Sequence, residues 1–237
     1  MSPVRRYSNW NKRYTDIVEQ KEPYKKFYFI CEGQNTETFY FKKLIDIKKQ
    51  LKIHPYIDLC LLEKTDEDRN ISYPLHLIKF AHKQKDNPEL QFDKNHDKMI
   101  IVFDVDIFEN KVNNYDEILA LAKQNGDILA ITNPSFELFL LLHFEDSLKD
   151  IIYPALEKIL ENRKSGNQTY IYQLLLDKCG INCKKNSKIG DLAYDIEIAI
   201  LQEKGLNQKV EQAIGQVTST VAKVIEDIRN ESITEIK

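Results

Sequence analysis

Residues 99–106 read MIIVFDVD. An apolar run from Met99 to Phe103 leads into two aspartates one residue apart, Asp104 and Asp106. A short continuous apolar run is the pattern of a strand buried on both faces, as in parallel sheets. In open α/β sheets ligands bind just beyond the carboxyl ends of the strands, which is where this pair falls. In an extended strand, residues two apart point the same way, so the two carboxylates are expected to converge. Converging carboxylates repel unless a proton or a cation compensates them. Mg²⁺ is the usual cation for an all-oxygen site.

Outward from this stretch, strands are expected at Lys26–Cys31, Tyr56–Glu63 and Asp127–Thr132, with Lys98–Phe103 as the third of four. They are rich in β-branched and aromatic residues and bounded by turn or polar stretches. Helices are expected between them. The first starts at Thr36 as N-cap and runs to about Leu51, the second covers Tyr73–Lys85, and the third covers Val112–Asn125 and is closed by Gly126. Pro134 then opens an apolar helix over Ser135–Phe144. The alternation over residues 26–144 predicts an α/β fold: a parallel sheet of about four strands, right-handed crossovers and flanking helices. Beyond residue 145 no strand signal of comparable strength occurs. Ile151–Leu160, Tyr170–Cys179 and Ile189–Leu201 look helical, and Val217, Val221, Val224, Ile225 and Ile228 keep a helical period. The chain thus divides into a polar arm (1–25), an α/β domain (26–145) and a helical extension packed on it (146–237).

With 42% hydrophobic and 30% charged residues in 237, the chain reads as soluble and globular. A net charge of -3 argues against a protein that coats nucleic acid, though not against one that touches it through a local patch. The best such patch is Lys42, Lys43, Lys48 and Lys49 on the first helix. The arm carries Arg5, Arg6, Lys12 and Arg13 among Tyr7, Trp10 and Tyr14. It reads either as a solvated tail or as a basic segment that meets phosphate. No signal-peptide pattern and no apolar run of about 18 residues occurs, so a cytoplasmic location without a membrane partner is expected. Cys31 and Cys60 read as buried small hydrophobes. Cys179 and Cys183 lack a second pair at zinc spacing. His143, on an apolar helix, reads as a packed core residue.

Glu32 ends the first strand as Asp104 and Asp106 end the third. If those strands are neighbours, three carboxylates gather at one edge and suit one or two Mg²⁺ or Mn²⁺ ions. Glu37, in the first turn of the first helix, is placed to face the same crevice. Taken singly, each acid reads better as a loop-edge charge, an N-cap or a solvated residue, and it is the aspartate pair after a buried strand together with Glu32-Gly33 after another that reads as functional. Phosphatases with D-x-D place Thr or Val two residues later on a first strand, whereas here the position is Phe108 and the strand is the third. A nuclease acid-x-Lys motif on a strand is also missing: Asp58 and Glu63 precede Lys64 with the wrong spacing, and Glu109-x-Lys111 falls in the expected loop after the third strand. A glycosyltransferase D-x-D stays open. No phosphate-binding GxxxxGK[ST] occurs, nor GxGxxG or GxSxG.

A Glu after the first strand with D-x-D after the third resembles the Toprim fold of topoisomerases, primases and overcoming-lysogenization-defect nucleases. More narrowly, CEGQNTETFYF at 31–41, VFDVD at 102–106 and NPSFELFLLLHF at 133–144 resemble the RloB family and its AbiL-type abortive-infection relative. VTSTVAKVIEDI near the end matches more loosely. The resemblance implies metal-dependent phosphodiester chemistry on RNA, tRNA included, or DNA in bacterial anti-phage defence. It implies nucleic acid and a separately encoded ATPase subunit as partners, and self-association stays open. It makes Glu32 a general acid/base or metal ligand and gives Asp104 and Asp106 the metal, with Glu37 beside them. Thr36, Lys42, Lys43, Asn133, Ser135 and Glu137 are the residues expected to meet substrate. For Glu137 a charge favoured by the helix dipole serves equally well. The alternative is a non-cleaving effector or binding subunit whose acidic pocket holds metal, nucleotide or a partner.

Overall fold

The computed structural model describes residues 5–7, 24–64, 73–110 and 114–231. Lys12, Arg13, Trp10 and Tyr14 of the arm, and the expected start of the third helix at Val112, lie outside the described residues. The four expected strands are present as β2 (Lys25–Cys31), β3 (Ile57–Glu63), β4 (Lys98–Asp104) and β5 (Ile128–Asn133), all parallel. Two short strands that the sequence did not announce close the sheet. β1 (Arg5–Tyr7) pairs antiparallel with β3, and β8 (Thr218–Ser219) pairs antiparallel with β5. The order is β1-β3-β2-β4-β5-β8.

This order puts the first and third parallel strands side by side, with Cys31 opposite Val102. From β2 the chain winds one way to β3, and from β4 it winds the other way to β5. The gap between β2 and β4 is therefore the topological switch point, where open sheets bind ligands. Both faces of the sheet are covered. Phe27, Phe29, Cys31, Ile100 and Val102 pack on one side, while Tyr28, Ile30, Met99, Ile101 and Phe103 pack on the other. That alternation is the pleat of a doubly buried strand.

Helix α1 (Thr36–Asp46) is shorter than expected and breaks into turns before Leu51, with Lys52 at φ 58. Its N-cap is Asn35, and Thr36 is the first helical residue. α2 (Pro74–Lys85) matches its expected range, with Pro74 at the favoured start. A short α3 (Asp106–Asn110) occupies the expected loop after β4, and α4 (Tyr115–Asn125) ends at Gly126 in the left-handed region, φ 69. α5 (Phe136–Leu141) follows a cis Asn133–Pro134 peptide bond.

The extension contains α6 (Leu156–Glu161), a hairpin of β6 (Lys164–Ser165) and β7 (Gln168–Thr169), α7 (Tyr170–Cys179), α8 (Ile196–Glu203) and α9 (Val221–Arg229). It is not purely helical, since it supplies β8 to the sheet. It also shares the core on the face of α1 and α5: Ile171, Leu175, Ile196, Ile200, Val224 and Ile225 belong with Phe29, Phe41 and Phe139. Glu203, 0% exposed, locks this join. It accepts hydrogen bonds from the Ser219 hydroxyl, from the Ala222 N–H at 3.0 Å and from the Lys223 N–H at 2.7 Å. One carboxylate therefore ties down the start of α9, satisfying N–H groups that a helix leaves unpaired.

Candidate functional site

The ladder between β2 and β4 runs one step past the strand, because the Glu32 N–H donates to the Val102 carbonyl at 2.9 Å. The Glu32 carboxylate then turns across the switch point and accepts the Asp104 N–H at 3.2 Å. Asp104 stands at the last position of β4, opposite Thr132 of β5, whose hydroxyl donates to Oδ1 at 2.5 Å. Neighbouring strands thus set these two acids side by side and fix the orientation of one.

The expected convergence of Asp104 and Asp106 takes a different form. β4 stops at Asp104, the Val105 N–H bonds to the Thr132 carbonyl, and Asp106 begins α3 on the exposed rim. Both aspartates still line one cleft of about 400 Å³, together with Gly33, Thr36, Glu37, Ser135 and Glu137. Glu37 and Glu137 are almost fully buried, at 9% and 7% exposure. Glu37 folds back so that Oε1 accepts the Gly33 N–H at 3.1 Å. A Cβ at position 33 would lie 2.2 Å from that carboxylate, so only glycine permits the fold-back. Glu137 accepts the Ser135 hydroxyl at 2.6 Å and has the Cys183 thiol at 3.8 Å.

Crowding and burial govern the protonation of this cluster. Burial raises the Glu32 carboxyl to about 7, against the Asp104 N–H, with the charges of Glu37 and Asp106 raising it further. Burial and then the charges of Glu32, Glu37 and Glu137 lift Asp104 well above the ordinary carboxylate range. Burial and Glu137 likewise raise Glu37. The chemistry of the donors, hard carboxylate oxygens collected at one edge, fits a hard divalent cation. Among the described residues, however, no three His, Cys, Asp or Glu side chains are grouped to hold a metal ion between them. The fit is therefore to Mg²⁺ held by one or two carboxylates, with water and a substrate oxygen completing its shell. Asp104, which lines the cleft, could hold such an ion, whereas Glu32 is not among the residues that line it and its carboxylate contacts the Asp104 N–H.

Other residues expected at the site lie elsewhere. Lys42 pairs with Glu63 at 2.6 Å and stands over the Tyr7 ring, while Lys43 pairs with Asp191 at 2.7 Å and stands over Tyr194. Neither lines the cleft. Lys48 is bound to Asp58. Asn133 is 0% exposed and acts as a clasp: its amide nitrogen lies 2.7 Å from Glu109 Oε1 and 2.8 Å from the Ala213 carbonyl. Glu109 also accepts the Gly215 N–H. Thr36 does line the cleft, but its hydroxyl is directed to the Cys183 carbonyl at 3.3 Å. His143 is a core residue as expected, since Nδ1 donates to the Phe139 carbonyl and Nε2 accepts the Tyr40 hydroxyl. Burial lowers its pKa to about 4.

Two lysines, Lys164 and Lys184, escaped the sequence reading, and a third, Lys64, enters it only through an acid-x-Lys motif at the wrong spacing. Lys64, just past β3, donates to the Glu32 carbonyl at 2.6 Å, and burial lowers its pKa. Its position at the carboxyl end of a strand next to Glu32 was a usable signal. Lys164 and Lys184 line the cleft from the extension, alongside Asn162 and Thr169. No spacing in the chain connects them to Asp104.

Fold and cleft define an α/β protein with a carboxylate cluster at the switch point of a parallel sheet. The model of the RloB-like protein family matches residues 27–228, and the chain belongs to that family. That span takes in the sheet from Phe27 onward, the cleft and most of the extension, and leaves out β1. No curated protein and no solved structure matches the chain.

Proposed function

We propose that the chain is a Mg²⁺-dependent nuclease with a Toprim-like site. It would cleave phosphodiester bonds of RNA, tRNA included, or DNA in bacterial anti-phage defence, under the control of a separately encoded ATPase. The observation that carries this reading is the contact of Glu32 with the amide of Asp104 across the switch point, since Asp104 also lines a cleft with Asp106, Glu37 and Glu137. A divalent cation there, Mg²⁺ or Mn²⁺, would polarise the phosphodiester and lower the pKa of an attacking water. Asp104, oriented by Thr132, and Glu32 are the candidate ligands. Where Glu32 does not ligate the cation, its carboxyl, raised to about 7 by burial, would serve instead as general acid or base near neutral pH. Asp106 on the rim and Glu37 on the wall complete the acidic lining.

The absence of a three-carboxylate cage among the described residues favours the second reading, a subunit that binds metal or nucleotide without cutting. Phage plating on cells expressing wild type or Asp104→Ala, each with its neighbouring genes, tests the site. Loss of protection in the variant at equal protein level supports a working site. Equal protection by both contradicts the catalytic reading. Loss of protection in a protein that cleaves nothing supports the binding subunit.

A further inference from the structure

The acids account for a cation, but they repel the phosphate backbone that has to reach it. The lysines of α1 and of the turn after it do not offset that repulsion, since Lys42, Lys43 and Lys48 are held in ion pairs with Glu63, Asp191 and Asp58. The cleft has a further part of its lining that comes from the extension. Lys184 stands there with its side chain 60% exposed, in an ion pair with Glu137 whose 3.9 Å is looser than the 2.6, 2.7 and 3.0 Å of the Lys42, Lys43 and Lys48 pairs. Its ammonium sits over the Tyr172 ring at 5.3 Å, which steadies it without neutralising it. The loop carrying it is pinned to the start of α1, where the Asn35 side chain donates to the Lys184 carbonyl and the Thr36 hydroxyl to the Cys183 carbonyl. Lys164 is exposed on β6, and its hairpin is anchored by Asn162, whose Oδ1 accepts the Ile171 N–H at 3.1 Å.

We propose that Lys164 and Lys184 form the phosphate-binding wall of the cleft and that a single unpaired nucleic-acid strand runs between them and the acids. The proposal rests on the nuclease reading only for where the reacting phosphate sits. A cleft of about 400 Å³ has room for one nucleotide-sized unit. Two lysines flanking the backbone supply a local attraction that the net charge of -3 does not provide.

The test is binding without cleavage. Asp104→Asn protein is titrated with fluorescein-labelled RNA and DNA strands of about a dozen nucleotides. The same sequences are offered as duplexes, with Mg²⁺ present and salt varied. Single strands should bind more tightly than duplexes. Adding Lys164→Ala and Lys184→Ala should weaken binding about tenfold and reduce the salt slope by roughly 1.4, two contacts at about 0.7 each. Lys→Arg at both positions should restore affinity. Unchanged affinity and slope in the double variant, tighter binding of duplex, or no binding of any strand would each overturn the proposal. Wild type that binds in the expected way but cuts nothing sinks the nuclease reading alone. Wild type that cuts, with cutting unaffected by loss of both lysines, sinks this proposal alone.

Discussion

Glu32 and Glu37 hold sensitive positions, because each carboxylate is anchored by a backbone N–H and has other acids near it. For Gly33→Ala, the new methyl takes the space of the Glu37 carboxylate and breaks its bond to the loop. The expected outcome is a loss of about 1 kcal/mol or more in denaturant unfolding, with secondary structure retained. Protonation gives a second expectation. Glu32 titrates at about 7 folded against 4.5 for a free side chain. Between those pH values the folded state holds a proton that the unfolded state has released, so stability is full below 4.5 and falls as pH rises to 7. The loss from Glu32 is of order 3 kcal/mol, and Asp104 and Glu37 add to it in the same direction. Without divalent cation the protein should therefore melt lower at pH 8 than at pH 5, and Mg²⁺ should raise the pH 8 value more. A melting curve flat across this range, with or without Mg²⁺, would contradict the cluster's electrostatics. Glu32 and Asp104 were legible as sequence because a strand end is a local signal. The fates of Lys42 and Lys43 were not, since Glu63 and Asp191 reach them only once the chain has folded.

Among elements, the parallel strands and their crossovers follow from apolar runs that nothing but a doubly covered sheet would bury. The edge strands β1 and β8 were invisible for the converse reason. Two or three residues give no period, and Thr218–Ser219 takes strand form only because Asn133 and Thr132 offer it partners. α1 was overextended at its end because Ile47 and Leu51 fit a helical period but pack from turns instead. The join between β8 and α9 depends on Glu203. Glu203→Ala strands the Ser219 hydroxyl and two N–H groups in the interior, a cost of about 3 kcal/mol. Glu203→Gln, which keeps one accepting oxygen, should cost less. Denaturant midpoints measured on the two variants check the order, and equal midpoints would show that Glu203 does not carry the join.

At the scale of the whole molecule, the extension is part of the sheet, the core and the cleft at once. A chain ending at residue 145 would leave Phe29, Phe41 and Phe139 without Ile171, Leu175 and Ile196, and would expose the β5 edge. The expected outcome is a fragment that aggregates and shows no cooperative unfolding. Among the described residues no helix is long and apolar enough to cross a membrane. The cleft is thus assembled from parts far apart in the chain, acids from strand ends and lysines from a distant hairpin and loop, which is why only its acidic half could be read in advance. The central claim is that Glu32 and Asp104 form a metal-dependent cutting site. Its most direct measurement is the cleavage of labelled RNA and DNA by the purified protein, with its ATPase partner where one is required, in Mg²⁺ or Mn²⁺. The expected result is cleavage that disappears with a chelator and falls at least about a hundredfold in both Glu32→Gln and Asp104→Asn. Cleavage that persists unchanged in either variant would contradict it.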